Sequence, residues 1–127
     1  MTVFRISEVA ALLGVSADTV RRWVDSGRLP AEREEHGHRI VSGADLAAFV
    51  RSPAEPDAGL SSARNRLRGI VTDVVRDGVM AKVEIQAGPF RVVSLMSREA
   101  ADELALEPGV VAVAVVKSTN VVVERSE

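Results

Sequence analysis

Asp77-Gly78-Val79-Met80-Ala81-Lys82-Val83-Glu84-Ile85-Gln86 reads as a hairpin turn running into a strand. Asp-Gly readily takes the positive φ values of a tight hairpin. Behind it, Val79, Ala81, Val83 and Ile85 alternate with Met80, Lys82, Glu84 and Gln86. A period of two puts the first set on one face of a sheet and the second on the other. On the near side of the turn, residues 67–75 mix apolar positions with Arg68, Thr72 and Asp73, as a half-buried strand does. On the far side the pattern predicts a strand over 89–95 and a short helix over 97–104 with Ser97 as its cap. A turn at Glu107-Pro108-Gly109 follows, then two strands over 110–116 and 121–123. The run from Val110 through Val116 is apolar on both faces. In so small a domain that predicts an outer face covered by another subunit.

Ahead of this segment the apolar spacing is helical. Ser7 is predicted to cap a helix that buries Val9, Leu12 and Leu13 and ends at Gly14. Ser16 caps a second helix, with Asp18 in its first turn where a negative charge suits the dipole. Its buried face is Val20, Trp23 and Val24, and Gly27 stops it. His36-Gly37-His38 reads as a hairpin tip. Ser42 caps a third helix, with Asp45 as a capping-box partner and Leu46, Phe49 and Val50 buried. Between the halves, Ser52-Pro53-Ala54-Glu55-Pro56-Asp57-Ala58-Gly59 has two prolines, two acids and no large apolar side chain. It can bury nothing and reads as an exposed linker. The expected organisation is therefore a domain over 1–51, a linker over 52–60 and a second domain over 61–127, an α+β chain of two small units.

Composition removes several function classes. The 127 residues include no cysteine, which excludes a disulfide framework, a thiolate metal site and a cysteine nucleophile. No apolar run approaches the ~20 residues that span a bilayer, and the N-terminus lacks a signal-peptide pattern, so a cytoplasmic protein without a membrane partner is expected. There is no nucleophile–base–acid set, no P-loop and no GxGxxG, so no enzyme is expected. His36 and His38 lack a third ligand, so a polar hairpin tip is favoured over a metal site. An aromatic content of 3% disfavours a stacking platform for single strands. Net charge is −2, with seven Arg against seven acids over 1–51 and nine cations against nine acids over 61–127. Any DNA affinity must come from local placement of arginines, and one copy should bind weakly.

Two short helices around Gly14-Val15-Ser16 fit a helix-turn-helix, and the second exposes Arg21 and Arg22. Arginines on such a face can fork to guanine or grip phosphate; alone they would read as solvated surface. The stretches Ser7-Glu8-Val9-Ala10, Leu12-Leu13-Gly14-Val15-Ser16, Thr19-Val20-Arg21-Arg22-Trp23, Gly27-Arg28-Leu29-Pro30 and Gly37-His38-Arg39 occur in one order. In that order they resemble the winged helix-turn-helix of the MerR superfamily, especially its excisionase-like branch. The resemblance implies double-stranded DNA as partner. It implies Arg21 and Arg22 at the groove and backbone, His38 and Arg39 in the wing, and Ser16 and Thr19 as phosphate donors. The family's long dimerisation helix has no counterpart here, so pairing falls to the second domain.

A tetrahedral dianion needs several hydrogen bonds and partial charge neutralisation, which two cations plus hydroxyls can supply without a metal. Ser62, Arg64, Lys117 and Ser118 are of the right type. They converge if the first and last strands of this half are neighbours, or if they come from two subunits. A lysine closing an apolar strand either snorkels to solvent or meets an anion, and residue type leaves both open. Ser62-Ala63-Arg64-Asn65, Leu67-Arg68-Gly69, Val83-Glu84-Ile85, Leu104-Ala105-Leu106-Glu107-Pro108-Gly109 and Val116-Lys117-Ser118-Thr119 together resemble one complete Mop (molbindin) domain, a member of the TOBE group of small OB-like β-barrels. The resemblance implies molybdate or tungstate as ligand, with Ser62 and Arg64 from one subunit and Lys117 and Ser118 from its partner. Ser94 and Ser97 match the family's hydroxyl pair, and Asn65 orients the loop at most. It further implies a homo-oligomer, a dimer or a trimer of dimers, built through residues 61–127.

The expectation is a molybdate- or tungstate-responsive DNA-binding regulator. Two rivals stay open: an oxyanion store with an accessory helix-turn-helix, and an architectural DNA-binding protein whose barrel only oligomerises.

Overall fold

The computed structural model describes residues 2–51 and 61–126. The chain divides into two compact units, Met1–Ala54 and Glu55–Glu127. The linker expected over 52–60 lies outside the described residues.

In the first unit, Val3–Arg5 is β1, Ile6–Leu13 is α1 and Ala17–Asp25 is α2. Glu32–Arg33 is β2, Arg39–Ser42 is β3 and Gly43–Val50 is α3. Gly14 ends α1 with φ 67, a left-handed conformation that costs glycine nothing. Ser16 Oγ then accepts the Thr19 N–H at 3.1 Å and starts α2. Ser42 does the same for Asp45 at 3.1 Å and starts α3. Val9, Val20, Leu29, Val41 and Leu46 form the core, with the rings of Trp23 and Phe49 packed beside it in a tilted pair, 5.0 Å between centroids. Burying each large aliphatic removes about 1.5–3 kcal/mol of apolar hydration cost.

Three expectations for this unit are corrected. The cap of α1 is Arg5 and not Ser7: its N–H donates to Glu8 Oε1 at 2.9 Å, while Ser7 lies inside the first turn. Leu12 and Val50 are exposed, and Ala10 takes the buried place on α1. The strand β1 was not anticipated. It pairs antiparallel with β3 (Phe4 opposite Val41), so the sheet runs β1-β3-β2, and three residues show too little alternation to betray a strand.

In the second unit, Asn65–Arg76 is β4, Met80–Ala87 is β5, Phe90–Ser97 is β6, Arg98–Glu103 is α4 and Val111–Val116 is β7. The antiparallel sheet runs β6-β5-β4-β7. At the first hairpin, Asp77 Oδ1 accepts the N–H groups of Met80 and Val79, each at 2.7 Å. Those two bonds, with Arg98 nearby, hold its carboxyl below the usual carboxylate range. Ala81, Val83, Ile85 and Ala87 point inward, but Val79 is part of the turn and 73% exposed. Register shifts between Val71 and Asp73, and this bulge helps the sheet curl. The core is small: Val71, Val83, Ile85 and Leu106. Arg76 ties it to the α4 corner through Asp102 at 2.9 Å and Glu107 at 3.2 Å.

The predicted strand over 121–123 does not pair. A short 3-10 helix, Ser118–Asn120, turns the chain instead, and Val122 and Val123 are almost fully exposed. Local apolar character alone does not provide a ladder partner. On β7, Val111, Val113 and Val115 face outward and exposed, opposite Ile70, Arg68 and Arg66 of β4. Among the described residues no helix is long and apolar enough to cross a membrane.

Ala105, with φ 51, is the left-handed residue that closes α4. Its N–H donates to Asp102 O at 3.0 Å, and the Leu106 N–H donates to Ala101 O at 3.1 Å. An L-side chain there costs about 1–2 kcal/mol, partly offset by the greater unfolded-state freedom of glycine. Ala105→Gly is expected to stabilise the second unit by about 0.5–1 kcal/mol. Urea melts of wild type and variant measure it; an unchanged or lower midpoint contradicts it.

Candidate functional site

In the first unit, the turn after α1 projects α2 with Val20 inward, so Arg21 and Arg22 face out. Arg21 donates to Asp18 Oδ1 at 2.7 Å, and Arg22 reaches Thr19 Oγ1 at 3.4 Å. Thr19 Oγ1 also lies 2.9 Å from Ser16 Oγ, so both hydroxyls predicted to meet phosphate sit together at the start of α2. The β2–β3 hairpin places His38 and Arg39 at its tip and second strand. Arg39 pairs with Asp25 at the end of α2.

The folding of this hairpin beside α1 and α2 makes a concavity of about 450 Å3. Of the residues that the resemblance implied at DNA, Arg21, His38 and Arg39 line it, while Arg22, Ser16 and Thr19 do not. Arg5 and Arg33 also line it and were missed. Arg33 was findable, because it stands directly opposite Arg39 across the hairpin. Arg5 was not, because its place depends on the unanticipated β1. Four guanidiniums thus line one hollow, three of them paired with carboxylates.

In the second unit, Ala63 is buried while Ser62 and Arg64 on either side of it are exposed, so the loop presents a hydroxyl and a guanidinium outward. Arg64 Nη1 donates to Ser61 O at 3.1 Å and Ala63 O at 3.3 Å, folded back on its own loop. Asn65 stands opposite Val116, and its Nδ2 donates to Val116 O at 3.1 Å. That clamp joins the start of β4 to the end of β7. Arg64 and Lys117 are thus the next residues beyond one end of the ladder, within a single chain. Ser118 follows in the exposed 3-10 turn. Among the described residues no carboxylate pairs with Arg64, Lys117, Arg66 or Arg68. This end of the sheet therefore carries uncompensated positive charge.

Ser94 and Ser97 are elsewhere. Ser94 stands opposite Val83, itself opposite Val74, and Ser97 stands opposite Met80. Those rows lie at the other end of the sheet from Asn65 and Val116. Ser97 Oγ accepts the Ala100 N–H at 3.1 Å as the α4 cap. One chain brings Arg64 and Lys117 to the same end of the ladder, with Ser62 and Ser118 in the adjoining loop and turn, and leaves Ser94 and Ser97 apart from them.

A helix-turn-helix domain model matches residues 3–53, and a TOBE domain model matches residues 61–123. Molybdenum-pterin-binding protein 2 of Clostridium pasteurianum is 38% identical over 63 residues, 49% of this chain and 93% of that protein. The transcriptional repressor DcmR of Methylorubrum extorquens is 37% identical over 76 residues; these make up 51% of this chain but only 29% of the repressor's length. Among solved structures, a molybdate-binding protein from Sporomusa ovata aligns with 31% identity and a TM-score of 0.50, over 51% of this chain and 97% of that one. A relative matched over nearly its whole length carries the assignment that the curled sheet invites: the chain belongs to the TOBE-domain family of the molybdenum-pterin-binding proteins, with a helix-turn-helix domain ahead of it.

Proposed function

We propose that this chain is a cytoplasmic transcription regulator that binds double-stranded DNA through a MerR-like winged helix-turn-helix and responds to molybdate or tungstate through its TOBE domain. One observation carries the reading: a hollow lined by four arginines on one unit and an uncompensated cationic strand end on the other occur in the same chain. Similarity to a transcriptional repressor and to molybdenum-pterin-binding proteins supports each half.

Arg64 and Lys117 supply two cations, and Ser62 and Ser118 supply hydroxyls, a donor set that fits a tetrahedral dianion. Ser94 and Ser97 join the same anion only from a second copy, since in one chain they lie at the other end of the sheet. The exposed Val111, Val113 and Val115 support such an assembly, as a dimer or a trimer of dimers through residues 61–127. Linking several weak DNA modules raises their joint affinity through effective concentration. An anion bound between copies shifts DNA binding only by its different affinity for the two arrangements.

The test is calorimetric titration of the full chain with molybdate, tungstate and sulfate, followed by DNA binding with and without the tighter anion. Molybdate or tungstate should bind more tightly than sulfate and move the DNA isotherm. DNA binding without any oxyanion affinity would leave the second domain an oligomeriser. Oxyanion affinity without DNA binding would make the protein a store.

A further inference from the structure

Three of the four arginines around the hollow of the first unit are each held by a carboxylate. Arg21 is held by Asp18 at 2.7 Å, Arg5 by Glu34 at 3.3 Å, and Arg39 by Asp25. Arg33 donates to Gly37 O at 2.9 Å. Among the described residues each of these guanidiniums makes one hydrogen bond, although it has five N–H donors. The hollow therefore keeps most of its donors unspent while its charge is largely cancelled. The cancelling groups all reach solvent: the side chains of Asp18, Asp25 and Glu34 are 85%, 62% and 27% exposed. Ion pairs of that kind are held weakly and are readily exchanged.

Resting on the reading that this unit binds DNA, we propose that the hollow seats one backbone phosphate. Arg5 and Arg33 contact it beside Arg39, and Asp25 and Glu34 are the groups it displaces. A phosphate presents the same donor-hungry oxygens as a carboxylate, with the charge of a polymer behind it. It takes over guanidiniums that the carboxylates have already oriented. Arg39 and Arg33 face each other across the β2–β3 hairpin, so two strands present a pair of forks to one anion. The carboxylates also have a cost function. Each must be displaced on any sequence, so they lower affinity for all DNA by a common factor and leave the choice between sequences to base contacts from α2. Asp25 and Glu34 thus lower the overall affinity without touching a base.

The experiment measures binding of the full chain to two 30-base-pair duplexes across a salt series. One duplex has random sequence and the other is enriched by the protein from a random pool. Arg33→Ala, with Arg5→Ala as a second variant, should weaken both duplexes equally, by about tenfold at low salt. Each should also flatten the slope of log affinity against log salt by about one unit. Asp25→Asn and Glu34→Gln should strengthen binding of both duplexes by a similar factor. Circular dichroism shows that each variant is folded; Arg33 is exposed on a hairpin and its loss should leave the fold intact. If wild type binds the duplexes and both arginine variants keep its affinity and slope, the phosphate seat is wrong while DNA binding stands. If Asp25→Asn and Glu34→Gln weaken binding, the carboxylates are supports and not the displaced groups, and the proposal fails. If wild type binds neither duplex, the proposal falls together with the DNA reading.

Discussion

Gly69→Ala is expected to unfold the second unit, or to loosen it severely, while the first unit melts as before. A Cβ on Gly69 would lie 2.3 Å from Gln86 O, 2.8 Å from Gln86 C and 2.9 Å from Ala87 Cα. All three are backbone atoms of the neighbouring strand β5, so no side chain can swing aside. Relief requires β4 to move away from β5, yet β4 is held on its other side by β7, with Gly69 opposite Ala112. Overpacking of this kind costs about 1–3 kcal/mol and sometimes more. The unit has few reserves, because its buried core rests on Val71, Val83, Ile85 and Leu106. Calorimetric melts of the full chain should show the transition of the TOBE unit lost or lowered by many degrees. A Gly69→Ala protein that melts like wild type would mean that β4 and β5 approach less closely than described.

Arg64→Ala and Lys117→Ala are each expected to weaken molybdate binding by roughly ten- to a hundredfold, the cost of about 1.5–3 kcal/mol for a lost charged hydrogen-bonding partner. Both side chains are exposed beyond the ends of β4 and β7, so their removal should leave the sheet intact. Asn65→Ala is the useful contrast. It deletes the bond to Val116 O that holds the two strand ends together, so it should lower stability as well as affinity. Calorimetric titration with molybdate reads the affinity, and thermal melts read the stability. Full affinity in both the Arg64 and the Lys117 variant would remove this strand end as the anion site.

Much of the fold was legible because it was written at short range. Gly14-Val15-Ser16 ends one helix and starts the next through a left-handed glycine and a serine cap, both local devices. Ser42 and Ser97 cap α3 and α4 in the same way. The alternation of Ala81, Val83 and Ile85 specified which face of β5 turns inward. What failed was also local in appearance. Val121, Val122 and Val123 look like a strand, but a strand needs a neighbour, and the 3-10 turn at Ser118–Asn120 carries them off the ladder. Leu12 looks like core on a helical wheel, yet the neighbouring elements cover Val9 and Ala10 and leave it exposed.

For the candidate sites the division is similar. The family resemblance singled out Arg21, His38 and Arg39, but Arg5 joins them only because β1 pairs with β3 and brings the start of α1 to the wing. Residue type also singled out Arg64 and Lys117, without saying whether one chain could bring them together.

By itself, the sequence determined the turns, the caps, the inward faces of the strands and the chemical classes of side chain available, since each depends on a few neighbouring residues and their backbone preferences. Only the tertiary structure decided which distant residues meet. It was the pairing of β4 with β7 that put Arg64 beside Lys117, and the order β6-β5-β4-β7 that carried Ser94 and Ser97 to the other end of the sheet. Strand order depends on which long-range hydrogen-bonded ladders bury the most apolar surface together, and no local pattern of residues encodes that choice.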